Sequence, residues 1–329
     1  VLEHGGRLQR AVHRYGIPLE QWLDLSTGLA PEPWPIPDIP VSAWARLPEP
    51  DDGLEHAAAH YYGTTCVLPV AGSQAAIQAL PTLRPSGRTG VLSPCYAEHE
   101  QAWMRAGHTV VPISITEVEA AIDTLSVLVL VNPNNPTGHT VTPEQILGWH
   151  KRLAAQGGWL VVDEAFMDLT PALSLVRYVG RPGLIVLRSF GKFFGLAGIR
   201  LGFVLAEQAV LAQLEDVLGP WAVSGPARAV ARHILQDTAG HIRQRTLLLA
   251  QSQHLAELLD QHDLPPSGGC GLFQWLSRAD AQALHEFLAR RAILTRFFPL
   301  IPGIRFGLPG DESGWLRLAQ ALRDYKDTQ

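Results

Sequence analysis

The feature that most constrains this chain is an alternation running from about residue 53 to residue 205. Short apolar runs (Gly90–Ser93, Thr109–Ile113, Val127–Val131, Trp159–Asp163, Leu184–Arg188 and Leu201–Leu205) are separated by stretches with apolar residues at helical spacing. The runs lack the strict alternation of a strand with one wet face, so they read as strands buried on both faces. The helices expected between them are Ser73–Leu80, Ala97–Ala106 and Thr142–Ala155. The third has a clear start, with Thr142 as N-cap, Pro143 at the first helical position and Gln145 at the third. The expected fold class is therefore α/β, a mostly parallel sheet covered by helices.

The pattern changes on either side of this block. Seven prolines between residues 29 and 50 argue for an extended segment rather than helix or sheet. Residues 207–262 read as mostly helical. After Pro265-Pro266 and the cluster Gly268-Gly269-Cys270-Gly271, the expected order is strand 272–276, helix 279–291, strand 292–298, strand 304–307 and helix 312–323. That order suits a smaller α+β domain with antiparallel strands. The expected boundaries are an N-terminal segment 1–40 packing with the small domain, a large domain 41–225 and a small C-terminal domain 226–329.

Composition removes several function classes. With 47% hydrophobic residues in 329, the chain can bury a sizeable core and is not a disordered polymer. A net charge of -5 supplies no basic field for nucleic acid or an anionic membrane surface, and neither partner is expected. No uninterrupted apolar run approaches the roughly 18 residues needed to span a bilayer. The three cysteines, Cys66, Cys95 and Cys270, are odd in number and widely spaced. This pattern speaks against a disulfide framework and against a zinc site, so no metal is expected. With no basic-then-apolar leader pattern, the expected compartment is the reducing cytoplasm.

Lysine usage singles out one position. Of 26 basic residues only Lys151, Lys192 and Lys326 are lysines. Lys151 sits beside Arg152 on an ordinary helix and Lys326 lies in a polar tail. Lys192 stands in the apolar, glycine-rich stretch Ser189-Phe190-Gly191-Lys192-Phe193-Phe194-Gly195, where solvated lysines are rare. A lysine in such surroundings can act as an amine nucleophile toward an aldehyde, or it can be a structural partner of Asp163 or a helix end. A Ser-x-x-Lys hydrolase is a third reading, with nothing else of that type in the chain to support it.

Two further features end strands or begin helices, where open α/β sheets place ligands. Gly72-Ser73-Gln74 offers backbone N–H groups and a hydroxyl suited to a phosphate, and equally a plain N-cap. Asp163, in Val161-Val162-Asp163-Glu164-Ala165, ends an apolar strand, and a buried carboxylate needs a partner: a metal, an arginine or a protonated ring nitrogen. A magnesium–nucleotide site of the Asp-Glu type lacks its G-x-x-x-x-G-K-[ST] loop here. Pyridoxal phosphate would use all of these parts, since it needs a lysine amine, an acid at its ring nitrogen, a phosphate cup and a donor at its phenolic oxygen.

The loop Asn132-Pro133-Asn134-Asn135-Pro136-Thr137-Gly138, with Asp163-Glu164-Ala165-Phe166 and Ser189-x-x-Lys192 followed by Arg200, closely resembles the fold-type I pyridoxal-phosphate enzymes of the aspartate aminotransferase superfamily. The resemblance spans essentially the whole length. It implies pyridoxal 5'-phosphate as cofactor, with Lys192 forming the Schiff base, Asp163 at the pyridine nitrogen and Asn135 at the phenolic oxygen. It further implies Ser73, Gln74, Ser189 and Arg200 on the cofactor phosphate, Tyr96 stacked on the ring and Arg305 on the substrate carboxylate. Two departures stand out. Phe166 occupies a position where the family's aminotransferases usually carry Tyr, and Leu47 falls near a tyrosine that a neighbouring subunit would donate.

At the N-terminus, His4-Gly5-Gly6-Arg7, Tyr15-Gly16-Ile17-Pro18 and Trp22-Leu23-Asp24-Leu25-Ser26-Thr27-Gly28 resemble the threonine-phosphate decarboxylases of cobalamin biosynthesis, close relatives of histidinol-phosphate aminotransferase. That resemblance implies loss of CO2 from L-threonine O-3-phosphate to give (R)-1-aminopropan-2-yl phosphate, in a homodimer. It makes His4, Thr27, Gly28, Asn135, Arg296 and Arg305 candidates for substrate contacts. On residues alone His4 also reads as a plain terminal histidine and Arg296 as a surface strand arginine. Two rivals remain: an aminotransferase of the histidinol-phosphate kind, sharing every cofactor residue, and a non-catalytic ligand-sensing domain of the same fold.

Overall fold

The Thr142 side chain accepts the amide of Gln145 and Pro143 follows at the first helical position, so the helix Pro143–Ala155 begins where its sequence signals place it. The structure is a computed structural model that describes residues 2–328. In chain order its strands are β1 (Leu23–Asp24), β2 (Val67–Val70), β3 (Arg88–Leu92), β4 (Thr109–Ile113), β5 (Val127–Val131), β6 (Trp159–Asp163), β7 (Leu184–Ser189), β8 (Gly202–Leu205), β9 (Gly268–Cys270), β10 (Phe273–Ser277), β11 (Ile293–Leu294), β12 (Arg296–Phe298) and β13 (Gly303–Gly307). Contacts group the chain into two compact units: Trp34–Asn135 with Thr140–Arg243, and Val1–Pro33 with Pro136–His139 and Gln244–Gln329.

The larger unit holds one seven-stranded sheet in the order β2-β8-β7-β6-β5-β3-β4. Strands β3 to β7 run parallel. The α/β expectation of a mostly parallel sheet thus stands, with one refinement: β8 runs antiparallel to both β7 and β2. An apolar run carries no direction, so this reversal is invisible in the pattern. Strand β2 carries Pro69, which is tolerated because β2 is an edge strand. Every residue of β5 and β6 is buried, consistent with cover on both faces. Ile77, Ala102, Trp103, Leu211 and Leu214 pack with Val129, Val161 and Ile185 in one apolar cluster. Each buried valine, leucine or isoleucine among them contributes about 1.5–3 kcal/mol relative to exposure.

The smaller unit has an antiparallel sheet β12-β13-β10-β9 and a parallel pair β1-β11. The single strand expected over 292–298 is divided at the buried Thr295, whose hydroxyl bonds His285 Nδ1 at 2.8 Å. β11 then pairs with β1 and β12 with β13.

The contact boundary falls at 243/244 rather than at the expected 225/226. The reason is the helix Gly225–Ile234: Arg228 on it pairs with Asp52 and Glu55, each at 2.7 Å, and a Cβ on Gly225 would lie 2.2 Å from Ala43 O. Residues 34–40 group with the same unit, where Trp34 N–H donates to Phe194 O at 2.9 Å. The proline-rich stretch is also not wholly extended, because Val41–Ala45 follows Pro40 as a short helix in a gap between prolines. Among the described residues no helix is long and apolar enough to cross a membrane.

Candidate active site

The carboxyl edge of the parallel strands gathers the expected cofactor residues within the larger unit. Val131 pairs with Asp163 and Asp163 with Leu187, so β5 and β6 end level while β7 continues past them to Ser189. Asp163 is the last residue of β6 and Ser189 the last of β7. Tyr96 and Asn135 follow β3 and β5, and Lys192 lies in the helical turn Phe190–Phe193 directly after Ser189.

Two glycines allow close backbone approach beside Ser189. Gly202 pairs with Ser189 on one side and with Val70 on the other, which brings the start of the helix Ser73–Ala79 into the same row. A Cβ on Gly202 would lie 2.5 Å from Ser73 N. Gly72 has φ +75°, and a Cβ there would lie 2.8 Å from Arg200 Nη2. Arg200 itself takes a left-handed backbone conformation, φ 55° and ψ 56°, an uncommon state for a side chain of this size. The absence of side chains at Gly72 and Gly202 therefore lets the Ser73 N–H and the Arg200 guanidinium come close to the end of β7, where Ser189 stands. That donor set fits a phosphate.

Asp163 is 3% exposed and its two oxygens are already engaged. Oδ1 accepts the Ala165 N–H at 3.0 Å, and Oδ2 lies 2.9 Å from Nε2 of His99, itself 1% exposed. A carboxylate offers about four acceptor sites, so capacity remains for a protonated ring nitrogen. Tyr96 stands edge-on to His99, and its hydroxyl donates to Gln74 Oε1 at 3.2 Å. Gln74 Nε2 in turn donates to Glu98 Oε2 at 2.9 Å. Burial, with the negative charges of Glu98 and Asp163 nearby, pushes the Tyr96 phenol up to about 12. Tyr96, Gln74, His99 and Asp163 thus form one linked group.

His99 is a residue the sequence reading missed. The available signal was its place with Ala102 and Trp103 on the buried face of the helix Glu98–Arg105. A histidine on such a face needs a polar partner.

Glu164, next to Asp163, turns away into a different network. Arg188 Nη1 donates to Glu164 Oε2 at 3.0 Å and Nη2 to Asp168 Oδ1 at 2.6 Å, all three residues being buried. Burial drives the Glu164 carboxyl upward, opposed by Arg188.

The Lys192 turn is held by aromatic packing. Phe190 and Phe193 lie 4.5 and 5.0 Å from Phe194, and Trp34 lies 5.2 Å from Phe194. Gly191 allows the turn to close, since a Cβ there would sit 2.6 Å from Ala197 Cα. Lys192 Nζ lies 5.8 Å from the centre of the Phe166 ring.

The expected substrate residues other than Asn135 lie in the smaller unit. Arg296 on β12 stands directly opposite Arg305 on β13. Arg305 is buried, donates from Nη2 to Ser26 O at 3.0 Å and covers the Phe273 ring. Arg296 donates to Glu3 O at 2.6 Å. The Gly5-Gly6 segment after His4 lies on the strand end beside Thr27: Gly6 N–H donates to Ser26 Oγ at 2.8 Å, and a Cβ on Gly6 would touch Thr27 Cγ2 at 3.4 Å. Thr27 O in turn lies 2.3 Å from where a Cβ on Gly307 would stand, with the buried Gly28 next in the chain. The structure therefore brings the His4 segment, Thr27, Gly28, Arg296 and Arg305 into one neighbourhood.

Comparison with known proteins agrees with this architecture. The model of the family "Aminotransferase class I and II" matches residues 42–328. The chain is 59% identical to a threonine-phosphate decarboxylase of Pseudomonas aeruginosa over 99% of each chain, and 44% identical to one from a Sinorhizobium species over 97% of each. Its fold matches that of histidinol-phosphate aminotransferase from Sinorhizobium meliloti, solved in complex with pyridoxal-5'-phosphate, with a TM-score of 0.83 at 18% identity over 99% of this chain and 96% of that one. The alternation of strand and helix, the phosphate-fitting donor set and the lysine turn are thus those of an enzyme that belongs to the aminotransferase class I and II family, of fold type I and with pyridoxal 5'-phosphate as cofactor.

Proposed function

We propose that this chain removes CO2 from L-threonine O-3-phosphate, giving (R)-1-aminopropan-2-yl phosphate, as a step of cobalamin biosynthesis. The observation that carries the reading is the 59% identity, end to end, with a threonine-phosphate decarboxylase. The pairing of Arg296 with Arg305 supports it from the structure. Like charges directly opposite one another on a sheet are unfavourable by themselves, and a substrate with two anionic groups relieves that cost.

In this reading Ser73, Gln74, Ser189 and Arg200 hold the cofactor phosphate, and Tyr96 packs on the ring. Asp163, fixed by His99 and the Ala165 amide, keeps the ring nitrogen protonated, and Asn135 donates to the phenolic oxygen. When bound, pyridoxal phosphate supplies an aldehyde for amine attachment and a ring that accepts the electron pair released at substrate Cα. Lys192 Nζ is the amine of the site and can carry a proton to Cα after CO2 departs. Arg305 grips the substrate carboxylate, while Arg296, His4, Thr27 and Gly28 receive its phosphate. Two anchors on a short substrate leave the carboxylate one orientation, which is the geometric requirement for breaking that bond and no other.

The same reading takes the active enzyme as a cytoplasmic homodimer. Val41 and Trp44 are 80% and 68% exposed, and Ile36, Leu47 and Trp221 are exposed as well, an apolar set in the larger unit that suits a second copy. The test supplies L-threonine O-3-phosphate without any 2-oxo acid and follows CO2. Release over many turnovers is expected; its absence, with amino transfer from histidinol phosphate to 2-oxoglutarate instead, would establish the aminotransferase.

A further inference from the structure

The loop that carries Asn135 is closed at its base and held at its tip by different partners. At the base, Asn132 Oδ1 accepts the Val141 N–H at 2.9 Å and Asn132 Nδ2 donates to Val141 O at 3.1 Å. At the tip, Gly138 is buried with φ +74°, and a Cβ on it would lie 2.2 Å from Gly269 O and 2.4 Å from Gly269 Cα. From the opposite side, a Cβ on Gly268 would lie 2.3 Å from Thr137 O. Only hydrogen fits on either face of this contact. Pro136–His139 accordingly pack with the unit that contains β9, although the chain on both sides of them packs with the other.

We propose that Gly138 and Gly268, with the Gly269 backbone, are positioning residues for Asn135. This rests on the reading of Asn135 as the donor to the cofactor's phenolic oxygen. Strand β9 is a firm seat. It is paired to β10, and Ser252 Oγ donates to Cys270 O at 2.9 Å while Gln274 Nε2 donates to Ser252 O at 3.0 Å. The link from that seat to Asn135 is short and stiff. Pro136 has its φ locked, and the residue before a proline is itself restricted to extended backbone. A shift at Thr137-Gly138 is therefore carried to the Asn135 side chain instead of being absorbed along the way.

The test compares holoenzymes carrying Gly268→Ala, Gly138→Ala, Asn135→Ala and the pair Gly268→Ala/Asn135→Ala. Gly148→Ala serves as control, since a Cβ at Gly148, on the helix Pro143–Ala155, meets nothing within 4 Å. Two readouts are independent of turnover: the absorbance spectrum of bound pyridoxal phosphate, and its dissociation constant from titration of the apoprotein. Gly268→Ala is expected to weaken the cofactor about tenfold, the size of one hydrogen bond to a charged oxygen, and to shift the spectrum in the same direction as Asn135→Ala. The double variant is expected to be no worse than Asn135→Ala alone, because both changes remove one contact. Gly138→Ala enters the same contact from the loop side and must reproduce the shift. Wild-type spectrum and affinity in Gly268→Ala and Gly138→Ala, with both altered in Asn135→Ala, would overturn the positioning role while leaving the reading of Asn135 intact. Additive effects in the pair would overturn it too. An unchanged Asn135→Ala would remove the reading and the proposal together.

Discussion

His99 Nε2 lies 2.9 Å from Asp163 Oδ2, and both side chains are sealed from solvent. An ionised carboxylate only accepts, so the imidazole donates from Nε2 and fixes the orientation of the carboxylate that we propose faces the cofactor ring. His99→Phe keeps the volume and removes the donor, leaving Asp163 Oδ2 buried and short of a partner at a cost of about 1–3 kcal/mol. The expected outcome is a lower melting temperature of the apoprotein together with weaker binding of pyridoxal phosphate. An unchanged cofactor dissociation constant in that variant would remove His99 from the site.

Tyr96 gives a pH dependence whose sign follows from its surroundings. Burial and the nearby carboxylates raise its phenol from 10.0 to about 12 in the folded protein. Because the folded state holds this proton more tightly than the unfolded chain does, the stability it contributes is fully present below pH 10 and is lost as pH rises toward 12. Denaturant unfolding at pH 9 and pH 11 should show a larger loss of stability for the wild type than for Tyr96→Phe. Equal losses would contradict the assignment.

Lys192→Ala is expected to abolish turnover, by on the order of a thousandfold or more for the loss of an acid–base and nucleophilic amine, while circular dichroism remains that of the wild type. No other lysine can substitute for it: Lys326 pairs with Asp263 at 2.7 Å and Lys151 is exposed on the helix Pro143–Ala155. Turnover within tenfold of wild type would rule out the assignment.

These expectations differ in how they could be reached. Lys192, Asp163 and Ser189 are legible because each breaks a local rule: a lysine among phenylalanines and glycines, and polar groups ending apolar strands. The parallel strands are legible because β5 and β6 are apolar on both faces. The antiparallel β8 is not, since reversing a strand leaves its composition unchanged. His99 was hidden because its meaning depends on Asp163, 64 positions away, and no local pattern encodes that pairing. The seat of the Asn135 loop was hidden for a related reason. Gly268-Gly269 reads only as part of a glycine cluster ahead of the expected strand 272–276, whereas the structure uses it as strand β9, against which another backbone lies.

Arg296 and Arg305 face each other across β12 and β13, and the two should separate by ligand chemistry. Arg305 is buried, bonds a backbone carbonyl and packs on Phe273, the setting of a fixed planar fork for a carboxylate. Arg296 is more accessible and shares its guanidinium with the exposed Glu3, an arrangement for which a phosphate can compete. Removing Arg296 relieves like-charge repulsion, so Arg296→Gln should cost little stability in the apoprotein. Arg305→Gln should cost more, because it leaves a buried carbonyl unpaired. For binding, with pyridoxal phosphate bound so that its own phosphate occupies the Ser73 and Arg200 donors, inorganic phosphate should raise the melting temperature of wild type and Arg305→Gln but not of Arg296→Gln, since a ligand stabilises only the protein that holds it. Toward L-threonine O-3-phosphate each variant should lose roughly 1.5–3 kcal/mol in kcat/KM, the range for a hydrogen bond to a charged group, or about ten- to a hundredfold. The Arg296→Gln loss should shrink in high salt, because its partly exposed ion pair is screened and the buried one is not. Phosphate stabilisation that survives in Arg296→Gln and vanishes in Arg305→Gln would exchange the two assignments.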